Sequence, residues 1–165
     1  MILQIDPMLP SDWPTVREIY LEGIASRQAT FEIEAPSWEA WDASHLPFAR
    51  LTGRKVEIVV GWAALSPVSS RRVYAGVAEV SVYVAQSQQG LGLGRQLLEA
   101  LIAESETNGI WSLQAVMFPE NAASVALHRR CCFREVGRRE RIGKLDGMWR
   151  DTILLERRSR RVGID

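Results

Sequence analysis

No sign of charge dominates this chain of 165 residues: lysine plus arginine and aspartate plus glutamate stand at 20 each, giving a formal net charge of zero. A balanced surface sets up no long-range field, so neither nucleic acid nor an anionic membrane is expected as a partner. Cysteine is scarce, and the two that occur, Cys131 and Cys132, are neighbours. Adjacent cysteines rarely close an unstrained disulfide, and two sulfurs without further ligands nearby hold no metal, so neither a disulfide scaffold nor a metal centre is expected. The opening MILQIDPMLP carries no basic leader and no long apolar stretch. Secretion is therefore not expected, and two reduced thiols suit a cytoplasmic protein. No repeat, low-complexity linker or domain boundary interrupts the chain, and 47% hydrophobic with 24% charged residues is the balance of one globular domain. The only basic run, ERRSRRVGID at the end, reads as a frayed, solvated terminus.

What the sequence does have is periodicity. PSDWPTVREIYLEGIA offers Ser11 and Asp12 as N-caps ahead of Val16, Ile19, Tyr20 and Ile24 at helical spacing. APSWEAWDASHL repeats the pattern, with Ser37 as cap and Trp38 and Trp41 on one face. PFARLTGRKVEIVVGWAALSP reads as a hairpin whose β-rich runs are joined through Gly53, with Gly61 marking a bulge. In residues 73–85, Val80, Val82 and Val84 alternate with Glu79, Ser81 and Tyr83, the pattern of a strand. A helix carrying Leu97, Leu98, Leu101 and Ile102 runs on to Gly109, its stop. IWSLQAVMF is then a short strand, NAASVALHRRC a helix headed by Asn121, and FREVGRRERI and WRDTILLER two closing strands.

Between the long strand and the amphipathic helix lies QQGLGLGRQLLEALI, with Gly90, Gly92 and Gly94 at alternate positions. Such a turn aims unpaired N–H groups at one point and adds the positive end of the helix dipole, so an anionic ligand is expected; glycines chosen for packing alone are the competing reading. A P-loop is ruled out because Arg95-Gln96 stands where Lys-Ser or Lys-Thr is needed. A dinucleotide fingerprint needs G-x-G-x-x-G directly off a strand, and this chain has G-x-G-x-G set beyond it. Gln89-Gly90-Leu91-Gly92-Leu93-Gly94 resembles the Q/R-x-x-G-x-G/A motif with which the GNAT superfamily of N-acetyltransferases binds the pyrophosphate of acetyl-coenzyme A. NAASVALHRRCCF resembles the asparagine-headed helix that follows in that superfamily. The blocks QATFEIEAPS, GWAALSPV, AEVSVYV, PENAASVALHRRCCFREVG and GMWRDTILLERR, in order from residue 28 to about 158, resemble the phosphinothricin acetyltransferase group. Two positions depart from it: Cys132 stands at the usual glycine of a GF pair, and the loop SPVSSRRVYAG differs in detail, which leaves the acceptor open.

The resemblance implies an α/β (α+β) GNAT fold, a mixed central sheet of about six or seven strands flanked by about four helices. It implies a single domain over residues 1–158, followed by a basic tail, 159–165. It also implies transfer of acetyl from acetyl-CoA, without a metal, to the amine of a small acceptor of the phosphinothricin, methionine sulfoximine or methionine sulfone type, by direct attack on the thioester. Other amines, such as a polyamine or a protein N-terminus, and a non-catalytic coenzyme A-binding module are the alternatives.

An ammonium has no lone pair, so the acceptor must lose a proton. Composition alone leaves Glu79 a solvent-facing strand residue, whereas the resemblance makes it the general base. His128, on the face of its helix shared with Asn121, is the second candidate; it is placed to protonate the leaving thiolate, to relay the amine proton, or simply to pack. The coenzyme is expected along Val82, Tyr83 and Val84, over Gln89, Gly90, Leu91, Gly92, Leu93, Gly94 and Arg95, and against Asn121 and Ser124, with a strand splay or bulge freeing an N–H for the oxyanion. Phe31, Arg71 and Tyr74 are expected at the acceptor, Arg71 pairing with a carboxylate. Trp149 and Asp151 are open between the site, a dimer seam and simple packing, and His45 reads as a surface or loop residue. Six tryptophans exceed what one small core needs, and together with the resemblance they point to a homodimer.

Overall fold

The computed structural model describes residues 2–165. Its strands are β1 (Gln4–Pro7), β2 (Leu51–Lys55), β3 (Ile58–Pro67), β4 (Val77–Val84), β5 (Ser112–Met117), β6 (Arg134–Leu145) and β7 (Met148–Arg158). Its helices are α1 (Trp13–Ala25), α2 (Trp38–Ser44), α3 (Leu93–Thr107) and α4 (Ala122–Arg130). The strands form one sheet in the order β1-β2-β3-β4-β5-β7-β6, antiparallel throughout except where β4 lies parallel to β5. This is the mixed sheet with four helices expected from the sequence.

Each face of the sheet carries its own core. On one, Leu97, Leu98 and Leu101 of α3 pack on Val60, Ala63, Leu65, Val80 and Leu113; on the other, Trp13 and Val16 of α1 and Trp41 of α2 pack on Val59, Trp62 and Ala64. A strand of strict period two would put Val60 with Trp62. The register instead runs from Gly53↔Gly61 to Arg54↔Val59, so an extra residue on β3 shifts the phase and sends Val60 to the α3 side. The bulge expected near Gly61 is therefore present. Gly53, however, is not the hairpin turn but lies inside β2, and the chain reverses at Val56, whose φ is 56°. A Cβ at Gly53 would run into the Leu3 side chain at 2.7 Å and press on Leu97 at 3.3 Å, and one at Gly61 would run into Leu97 at 2.8 Å, so the two glycines keep bare the surface on which α3 rests.

Other details differ from expectation. Asp12 precedes α1, but its carboxylate accepts from the Leu9 N–H (2.9 Å) and the Arg54 guanidinium (2.7 Å) and caps no α1 amide. Ser37 does cap α2, accepting from the Ala40 N–H. Four of the six tryptophans, Trp13, Trp38, Trp41 and Trp62, form one cluster inside the chain, joined by His45, which stacks on Trp41 at 4.0 Å. His45 is therefore part of a packed aromatic layer, not a plain surface residue. The C-terminal segment is not frayed: buried Ser159 donates to Glu106 and accepts from the Arg161 and Val162 amides, and Arg158 donates to the carbonyls of Trp111 and Val162.

Candidate active site

The parallel pairing of β4 and β5 lasts only from Val77↔Ser112 to Glu79↔Gln114, although both strands continue. Beyond that pair they part, and Glu79 stands at the vertex. Its Oε2 accepts from Gln114 Nε2 at 2.6 Å, which fixes the carboxylate across the fork. No cation pairs with it among the described residues.

Backbone direction past the fork follows from two hydrogen bonds. Ala85 N–H donates to Val60 of β3, and Gly76 C=O accepts from Ser112 at the start of β5. Since N–H and C=O groups alternate sides along a strand, the even-numbered residues of β4 direct theirs toward β5. At Val82 and Val84 there is no β5 ladder to receive them. The opening arises from a splay of strands, with β3 and β4 in unbroken register.

At the far end of β4 the chain turns through Gly90 (φ 76°) and Gly92 (φ 78°), left-handed conformations that side chains disfavour, and a Cβ at either would meet nothing within 4 Å. Conformation, with space kept open above, explains both glycines. Gly94 is bare for another reason: its Cβ would press on Leu127 of α4 at 3.3 Å, so α3 enters close beneath α4. Gly92 is the N-cap of α3, which leaves the amides of Leu93, Gly94 and Arg95 without intrahelical acceptors. The Gln89 side chain donates to the Val84 carbonyl, bracing the turn, and the Arg95 guanidinium pairs with Glu99 at 2.7 Å.

Helix α4 contributes His128. Its Nδ1 lies 2.8 Å from the Ser124 carbonyl; a carbonyl only accepts, so Nδ1 carries the hydrogen and Nε2 is an acceptor. Nε2 is buried without a partner, and burial holds the imidazole pKa below its ordinary value, the Ser124 bond offsetting this only in part. The helix ends in a Schellman motif, with Phe133 N–H to His128 C=O and Cys132 N–H to Arg129 C=O, and the Phe133 ring packs edge-on against His128 at 5.1 Å. Asn121 caps the helix by accepting from the Ser124 N–H and donates to the Gln28 carbonyl, so its side-chain amide ties the start of α4 to the loop at Gln28. Arg150 of β7 tightens the same corner: it donates to Arg27 C=O and Gln28 Oε1 and lies 3.9 Å over Phe118, which in turn meets Phe31 edge-on at 4.9 Å.

These elements enclose a cleft of about 1030 Å³. Glu79, His128, Val82, Tyr83, Val84, Gln89, Gly90, Gly92, Leu93, Gly94, Arg95, Asn121, Ser124 and Phe31 all line it. Leu91 does not; its side chain is 48% exposed and turned out. Neither Arg71 nor Tyr74 lines the cleft. They precede β4 on a short 3-10 turn, exposed, with the guanidinium stacked on the phenol at 5.4 Å, so the expectation that they build the acceptor wall is not met within one chain. Asp151 of β7 is engaged by β6, accepting from the Arg141 N–H and the Arg138 guanidinium. Sequence reasoning missed Gln114, whose role depends on a parallel register, and also Thr152 and Arg130 in the lining.

Residues 12–133 match the model of the acetyltransferase (GNAT) family. The chain belongs to this family. It is an acetyl-CoA-dependent N-acetyltransferase. It is 31% identical over 153 residues to an L-methionine sulfoximine/L-methionine sulfone acetyltransferase of Pseudomonas paraeruginosa, covering 88% of each chain. It is 32% identical over 156 residues to a phosphinothricin N-acetyltransferase of Alcaligenes faecalis, covering 88% of this chain and 77% of that protein. Among solved structures it is similar to a GNAT superfamily phosphinothricin acetyltransferase of Sinorhizobium meliloti in complex with AcCoA, with a TM-score of 0.91, 26% identity, and coverage of 100% of this chain and 92% of that one.

Proposed function

We propose that the cleft takes acetyl-CoA along the open edge of β4 and passes the acetyl group to the primary amine of a small amino-acid-like acceptor. The observation that carries this reading is the fork at Glu79↔Gln114, which leaves unladdered backbone at Val82 and Val84 directly upstream of a left-handed glycine turn and a bare helix N-terminus. Pantetheine, with its two amides, suits the strand edge, and the pyrophosphate suits the amides of residues 92–95, with Arg95 and Arg130 supplying charge. Asn121 and Ser124 shape the opposite wall.

The acceptor nitrogen attacks the thioester carbon; a C–N bond forms, the C–S bond breaks, and its electron pair leaves on sulfur. Glu79 receives the amine proton, directly or through a water. A free N–H of the splayed β4 segment stabilises the oxyanion. A neutral imidazole whose Nε2 is an unpaired acceptor suits proton relay from the amine rather than protonation of the thiolate, so of the roles open to His128 the relay is the one we adopt. Phe31 flanks the acceptor.

Two copies are proposed to pair, with the β6–β7 hairpin as the candidate seam, since Ile142, Met148 and Trp149 are 52, 69 and 49% exposed there. Two free thiols, one of them exposed, suit a reducing cytoplasm; no helix among the described residues is long and apolar enough to cross a membrane.

The test is Gly92→Asp, which forces a side chain onto φ 78° and adds a like charge at the anion site. Calorimetry should show acetyl-CoA affinity reduced by tenfold or more in a folded variant; unchanged affinity would overturn the placement of the coenzyme.

A further inference from the structure

Between α1 and α2 the chain runs through residues 26–37 without regular secondary structure, and Gln28, Ala29, Thr30, Phe31 and Glu32 of this segment line the cleft. Ordering such a segment costs conformational entropy at every residue, which backbone ladders offset in strands and helices. Among the described residues, the backbone of 28–36 makes no hydrogen bond to backbone outside the segment.

Two side chains hold it instead. Asn121, the N-cap of α4, donates to the Gln28 carbonyl at 3.1 Å. Arg150, on β7, donates from Nη1 to the Arg27 carbonyl at 3.1 Å, and from Nη2 to Gln28 Oε1 at 3.2 Å and Glu120 Oε2 at 3.4 Å. Its guanidinium carbon lies 3.9 Å from the centre of the Phe118 ring, and Phe118 meets Phe31 edge-on. Across the β6–β7 register from Arg150 stands Gly143, where a Cβ would meet the Phe31 ring at 2.8 Å. Phe31 is thus seated between a bare strand position and Phe118.

The anchored residue is itself strained. Arg27 closes α1 at φ 58°, a left-handed conformation costly for any side chain, and it is held by Arg150 at its carbonyl and by Asp146 at its guanidinium, 3.0 Å away. The Arg150 side chain is 15% exposed and outside the lining of the cleft, so it touches no substrate. The one carboxylate it meets, that of Glu120, is mostly exposed, so the fork's geometry holds the segment more than charge pairing does.

We infer that Arg150 is a positioning residue for acetyl transfer: it clamps the segment after α1 onto the cleft through the Arg27 carbonyl and Gln28, and so seats Phe31 before the acceptor arrives. The inference rests on the acetyl-transfer reading above. A segment ordered in advance spends no ordering entropy when the acceptor binds, so the clamp acts on acceptor affinity and not on the chemical step. Lysine keeps the charge but has a single ammonium and no plane to lie over Phe118, so it cannot replace the fork.

Thiol release by the full-length enzyme is followed with L-methionine sulfone, acetyl-CoA affinity is measured by calorimetry, and tryptic cutting of the Arg27–Gln28 bond is timed by mass spectrometry. Arg150→Ala should raise the KM for the sulfone about tenfold and lower kcat less than about threefold, with acetyl-CoA affinity unchanged. The bond after Arg27, its carbonyl released, should be cut about tenfold faster. Arg150→Lys should behave like Arg150→Ala in both respects. Gln28→Ala, an exposed change that leaves the core intact, should raise the same KM about threefold, and add less than that in the Arg150→Ala background. An unchanged KM, a loss confined to kcat, full restoration by lysine, or an unchanged rate of cutting overturns the clamp and leaves acetyl transfer standing. A wild-type enzyme that binds acetyl-CoA but releases thiol with no amino-acid acceptor overturns the acetyl-transfer reading and the positioning role with it, whatever the rate of cutting.

Discussion

At the scale of single residues, Glu79 and His128 differ in how they are held, and the difference assigns their work. Glu79 faces one neutral donor, Gln114, and sits partly open at the vertex of the fork, where water can reach it. His128 is buried and neutral, with one nitrogen spent on a carbonyl and the other unsatisfied. Glu79→Gln keeps the shape and the Gln114 contact possible but removes the base, so kcat near pH 7 should fall on the order of 10²–10⁴ while acetyl-CoA affinity holds. The deficit should shrink at high pH, where the amine arrives deprotonated. Wild-type turnover at pH 7, measured by thiol release with chemistry rate-limiting, would return Glu79 to a structural role. Its place on the strand was legible from the block AEVSVYV. Its partner was not, because Glu79 and Gln114 are 35 positions apart and meet only through a parallel register.

At the scale of elements, glycines that look alike in the sequence do different work. Gly90 and Gly92 serve backbone conformation, Gly94 serves the approach of α4, and Gly53 and Gly61 give α3 its seat. The sequence pattern located the turn and the bulge, but it misplaced the β2–β3 reversal because Gly53 is a stronger turn signal than Val56. The end of α4 shows the reverse case. Cys132 occupies the C′ position at φ 67°, where the Schellman geometry favours glycine, and its side chain is exposed. Cys132→Gly should relieve the strain and raise stability by about 1 kcal/mol, or roughly 2–4 °C in Tm for a chain of this size. Because the motif's hydrogen bonds to His128 and Arg129 are backbone bonds, activity should be unchanged. A thermal melt with no gain would mean that the cysteine side chain supplies a compensating contact.

At the scale of the whole molecule, packing buries His128 and half-buries His45 against the aromatic layer, and this couples folding to pH. The aromatic layer around His45 and the closed end of α4 around His128 arise from contacts between elements far apart in the chain, which is why the burial of His45 was not legible in the sequence. Each imidazole has its pKa lowered from the ordinary 6.5, chiefly by burial. Well above pH 6.5, near pH 8, both histidines are neutral in the folded and unfolded chains and contribute no pH dependence. As pH falls through 6.5 the unfolded chain takes up protons that the folded chain refuses, so stability declines until the lower folded values are reached. Tm should therefore be flat from about pH 8 to 7 and fall between about 6.5 and 5, before most carboxylates titrate. Replacing His45 and His128 together by Gln should flatten that decline, whatever it does to the plateau. Melts recorded across this range in one buffer series decide the matter: a Tm unchanged between pH 7 and 5 would show that the two imidazoles are not held neutral by the fold, and would remove the basis for treating His128 Nε2 as a proton acceptor.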